Sequence, residues 1–79
     1  MGAVNADISR EALEFAVFCI ENLALRTGKT PEEIYRMLTR QSDILDGYIL
    51  PCWEVLHTQD RNYIMDDLIE MMRERKLTV

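Results

Sequence analysis

Glycine and proline are scarce in this chain of 79 residues, with three of the first and two of the second. It therefore has few places to turn sharply, and few turns between long periodic stretches point to a small number of helices. Cysteine is nearly absent too, at two residues. Secreted disulfide scaffolds of this size carry more, at loop positions, whereas Cys19 and Cys52 each fall in an apolar helical stretch. Two buried, reduced thiols in a cytoplasmic protein are expected. Basic residues number nine against fourteen acidic ones, a net charge of −5. That balance argues against nucleic acid or an anionic membrane as the main partner. No apolar run approaches the ~20 residues that span a bilayer. Met1 to Ala6 lack the basic start and apolar centre of a signal peptide. Ala6 also stands where a myristoylation site beginning at Gly2 would place Ser or Thr.

What is present reads as helix. The apolar content of 48% is ordinary for a globular chain, and the length allows one domain near the lower end of sizes that fold unaided. A flexible N-terminus over 1–8 and a single helical domain over 9–79 are expected. Ser9 caps the first helix, with Ile8 stapled onto Leu13, and Gly28 stops it after Thr27. Ala12, Leu13, Ala16, Val17, Cys19, Ile20, Leu23 and Ala24 share its broad inner face. Its other face holds Glu11, Glu14, Glu21 and Asn22, but also Phe18 and Leu25, and a helix apolar nearly all round is usually central. Thr30-Pro31-Glu32-Glu33 is a capping box opening a second helix that ends near Arg40, with Ile34, Met37 and Leu38 inward.

Ser42 or Asp43 caps a third helix, with Ile44, Leu45, Tyr48, Ile49, Cys52, Val55 and Leu56 on one face. Pro51 crowds the carbonyl of Gly47, so a kink is expected there, absorbed at Gly47. A fourth helix starts at Asp60, or else at Thr58, and reaches about Lys76. Ile64, Met65, Leu68, Met71 and Met72 form its stripe. The expected fold is all-α: a compact four-helix single domain with short connections, its third helix kinked near Pro51.

Several residues invite a chemical role. His57, the only histidine, is a candidate base or metal ligand, but zinc needs three or four ligands. Cys52 and His57 lie roughly 140° apart around a helix and do not converge locally. A histidine at a helix C-terminus more often ties down the last carbonyls. Asp66 and Asp67 point about 100° apart, Asp66 to solvent and Asp67 to the apolar border. There Asp67 is expected to accept a hydrogen bond from a tyrosine, the Trp53 indole or His57. No phosphate loop and no nucleophile elbow are present. Ile44–Leu56 resembles a recognition helix in layout but carries Asp46 and Glu54 and no Lys or Arg, so DNA reading fails on charge. Met37, Met65, Met71 and Met72 sit on core faces as gap-fillers rather than as a binding groove. Phe18 and Leu25, with Leu50 and Trp53, exceed what the core stripes need. Either the fold covers them or they form an interface.

The stretches Phe15-Ala16-Val17-Phe18-Cys19-Ile20-Glu21, Thr30-Pro31-Glu32-Glu33-Ile34-Tyr35, Leu56-His57-Thr58-Gln59 and Tyr63-Ile64-Met65-Asp66-Asp67 resemble a family of small bacterial proteins. That family is known only as a domain of unknown function. The resemblance runs from about Glu14 to Met72 and is most specific at Leu56-His57-Thr58-Gln59 with Tyr63 and Asp67. Asp60 stands where similar sequences also place Gly, and both cap helices. Family members look like stand-alone short chains, some encoded beside ADP-ribosyltransferase-like toxin candidates. The resemblance implies no activity, catalytic residue or cofactor.

Two classes of function remain. The first is a non-enzymatic cytoplasmic module that binds a protein partner or itself, antitoxin-like or self-associating, through Phe18, Leu25, Leu50 and Trp53. Leu56, His57, Thr58, Gln59, Asp60, Tyr63 and Asp67 would then form a structural junction, with no catalytic residue, metal or cofactor. The alternative is a small enzyme using His57 and Asp67 as an acid/base pair, for which a domain this short offers little room.

Overall fold

Ser9 and Gly28 bracket the first helix as their chemistry dictates. In the computed structural model, which describes residues 9–77, the Ser9 hydroxyl accepts the Ala12 N–H at 3.1 Å and α1 runs Arg10–Thr27. Gly28 closes it at φ 77°, where a side chain would be strained. The segment 1–8, the Ile8–Leu13 staple and the last two residues lie outside the described residues. Thr30 opens α2 (Pro31–Thr39) with a complete capping box. Its hydroxyl accepts the Glu33 N–H at 3.1 Å, and Glu33 accepts the Thr30 N–H at 2.9 Å. That backbone bond, ahead of the nearby Lys29 and Arg36, holds the Glu33 carboxyl below its ordinary range.

The expected third helix does not form as one piece. The Ser42 hydroxyl accepts the Ile44 N–H at 3.3 Å and donates to the Met37 carbonyl at 2.8 Å. A π-helical turn follows over Leu45–Ile49, closed by the Leu50 N–H on the Leu45 carbonyl at 3.0 Å. After Pro51 the chain leaves helical geometry at Cys52 (φ −106°, ψ 11°) and restarts as the four-residue α3 (Trp53–Leu56). Pro51 has no N–H to give and crowds the carbonyl four residues back. A turn widened to a five-residue bond is one way a helix relieves such a conflict. The kink is therefore a break, and among the described residues five helical segments stand where four were expected.

Asp60 opens α4 (Arg61–Glu74) by accepting the Asn62 N–H at 2.9 Å. Its end falls short of Lys76. There Lys76 turns left-handed at φ 62°, its N–H bonds the Arg73 carbonyl, and the Leu77 N–H bonds the Met72 carbonyl, both at 2.9 Å. This is the paired closure of a Schellman turn, with lysine where glycine is usual.

Helix α1 packs against α2, α3 and α4, and the π-helical turn packs against α2 and α3. The centre is apolar: Leu23, Ile34, Leu38, Ile44, Ile49, Ile64, Met65, Leu68 and Met72 are fully buried. Expectations fail at three edges. Leu13 and Val17 are each 51% exposed, because α1 turns Phe15 inward with Ala12, Ala16, Cys19 and Leu23. Val55 is 67% exposed, because the break at Pro51–Cys52 keeps the helical phase from carrying into α3. Met71 is half-buried rather than core. No strand occurs among the described residues, and no helix among them is long and apolar enough to cross a membrane.

Candidate functional site

The junction between α3 and α4 gathers most of the side chains that the sequence singles out. Leu56 anchors it, buried in the core. His57 ends α3: its N–H reaches the Trp53 carbonyl at 2.9 Å, and its Nδ1 lies 3.0 Å from the same oxygen. A carbonyl oxygen only accepts, so Nδ1 carries the proton and donates. The imidazole also packs on the Trp53 ring, centroids 4.9 Å apart and tilted 35°. The Thr58 hydroxyl donates to the Val55 carbonyl at 2.7 Å, and the Gln59 N–H to the Leu56 carbonyl at 2.9 Å. A four-residue helix leaves its carbonyls without partners of its own. His57, Thr58 and Gln59 supply them. All three are exposed, as are Asp60 and Tyr63.

Asp67 belongs to a different contact. It is half-buried on α4 and accepts the Tyr48 hydroxyl at 2.6 Å, tying the π-helical turn to α4. Of the three partners open to it from the sequence, the tyrosine takes it. The bond to a carboxylate, with burial second, pushes Tyr48 ionisation well above the ordinary tyrosine range. His57 and Asp67 thus each hold another partner, and among the described residues no hydrogen bond joins them. Asp66, expected to face solvent alone, is exposed yet receives Arg26 at 2.7 Å, and Asn62 accepts the same guanidinium at 3.3 Å. This α1–α4 link was not legible, because nothing in the spacing of Arg26 and Asp66 announces a tertiary pair.

Burial of the Cys19 side chain pushes its thiol up to about 12, which leaves it inert as a nucleophile. Cys52 is half-buried, and both thiols are free. Among the described residues no group of three His, Cys, Asp or Glu side chains is placed to hold a metal ion.

The four surplus apolar residues separate. Phe18 is half-buried, stacked on Phe15 with centroids 6.0 Å apart. Leu50 and Trp53 are half-buried against the core. Leu25 stands 82% exposed. With Leu13 and Val17 it makes an outer row of α1 at four-residue spacing, interrupted only by Glu21. The sequence hid this row because Leu13 and Val17 also fit the inner arc.

Residues 14–75 match the family described as "Protein of unknown function (DUF3791)". No curated protein and no solved structure matches the chain.

Proposed function

We propose, for a chain that belongs to the DUF3791 family of proteins of unknown function, a non-enzymatic role: an interaction module that docks a protein partner or a second copy of itself through α1. The outer row Leu13, Val17, Glu21, Leu25 carries the reading. Its three apolar members are 51%, 51% and 82% exposed, and rows at four-residue spacing are the ridges by which helices pack on one another. Phe18, half-buried on the same helix, would border the row, and the proposed surface takes in Trp53 of α3 at its margin. An antitoxin-like role in a bacterial cytoplasm would be one instance, suggested by the resemblance to small bacterial chains.

The test leaves the core alone. Leu13→Glu with Leu25→Glu changes only exposed side chains, so helical circular dichroism should persist. Sedimentation of the parent at high concentration should show a dimer, or a lysate pull-down a stoichiometric protein partner. Either complex should be lost in the variant. Retention of the same complex by a folded variant would remove α1 as the docking surface.

A further inference from the structure

Three cations meet where the α1–α2 turn, α2 and the end of α4 come together. Lys29, Arg36 and Lys76 line an open notch of about 320 Å³, with Met37 and Leu77 beneath them. Among the described residues Glu33 is the one carboxylate on its wall, and its Oε1 is already engaged by the Thr30 N–H at 2.9 Å and hydroxyl at 3.3 Å. Among the described residues, three positive charges set against Glu33 on the wall and Glu32 on Arg36 leave +1 around this notch, in a chain whose net charge is −5. Arg36 meets Glu32 at 3.2 Å, but as an exposed pair one turn apart on a helix, which stabilises little.

The second observation is backbone strain. Lys76 is the one non-glycine residue in the left-handed region among the described residues, at φ 62°. Glycine would close the same turn without steric conflict. Residues held in sparsely populated conformations concentrate at ligand sites. Here the strained residue is itself a cation on the notch.

We propose that this notch binds a small phosphate monoester. A phosphate monoester carries about −1.5 to −2 at neutral pH, so each of the three cations attracts it more strongly than the single charge of a simple carboxylate. Arg36 offers a planar fork for two oxygens, and Lys29 and Lys76 act as point charges. A volume of about 320 Å³ sits at the small end of ligand sites, suited to a phosphate with a short organic group. The notch lies apart from the outer row of α1, so this inference stands independently of the docking reading.

The full chain, ¹⁵N-labelled, is titrated at neutral pH and constant ionic strength with methyl phosphate, and in parallel with acetate. Saturable shifts should centre on the amides of Lys29, Arg36 and Lys76, with acetate at least about ten-fold weaker. Lys29→Gln should weaken methyl phosphate by a similar factor, while Arg61→Gln, outside the notch, should not. Lys76→Gly separates binding from folding, because it relieves the turn yet removes a charge: melting should hold or rise while affinity falls. Non-saturating shifts at every surface cation, equal response to acetate, or unchanged affinity in Lys29→Gln and Lys76→Gly would overturn the proposal.

Discussion

At the scale of single residues, capping chemistry was the most legible layer. Ser9, Thr30 with Glu33, Asp60 and Gly28 all act where their side chains, or lack of one, require. A cap needs only a local partner, so a short stretch of sequence contains the whole interaction. His57 was legible for the same reason, since its partner carbonyl lies one turn back in α3. Removing it tests that role. His57→Ala should cost about 1 kcal/mol, the net worth of one hydrogen bond. Trp53, the only tryptophan, should shift its fluorescence to longer wavelength as the imidazole leaves its face. Unchanged stability and emission would mean that the ring does not hold this contact in solution.

Elements were legible where one stretch has one conformation open to it. Helices α1 and α2 follow their caps within a residue. The segment from Ser42 to Leu56 does not, because periodicity alone treats it as continuous and Pro51 admits several solutions, from gentle bend to full break. Which one forms depends on what Leu45, Ile49 and Leu56 must reach in the core, all three being buried. Pro51→Ala restores an N–H and removes the ring that crowds Gly47. If proline causes the break, this variant should gain helical signal in far-ultraviolet circular dichroism and protect the new amide from exchange. No gain would assign the break to the packing of those three side chains.

For the molecule as a whole, the buried set was largely readable from apolar spacing, while of the ties between elements only a tyrosine on Asp67 was among the expectations, without its number. Arg26–Asp66 and Tyr48–Asp67 join residues that only the tertiary fold brings together. The second of these governs behaviour in alkali. Tyr48 and Cys19 both have ionisation raised in the folded state, so the unfolded chain loses these protons first as pH climbs. Their contribution is complete below about pH 9 and is lost as pH rises through the unfolded values toward the folded ones. Urea midpoints should therefore fall above pH 9. Tyr48→Phe should start about 1 kcal/mol less stable at neutral pH but decline more shallowly in alkali. An identical slope in both proteins would show that Tyr48 does not share in it.

The placement of α1 against each of the other three α-helices carries a consequence for how the molecule opens. A chain whose described α-helices all lean on one central rod loses most of its helix-to-helix packing without it. Release of α4 leaves α1 still held by α2 and α3, whereas freeing α1 dissolves every principal contact that α4 makes. Amide protons deep in α1, such as those of Cys19 and Leu23, should then exchange only through global unfolding, while those near the start of α4 exchange through smaller openings. The slowest-exchanging amides of the protein should map onto this one helix.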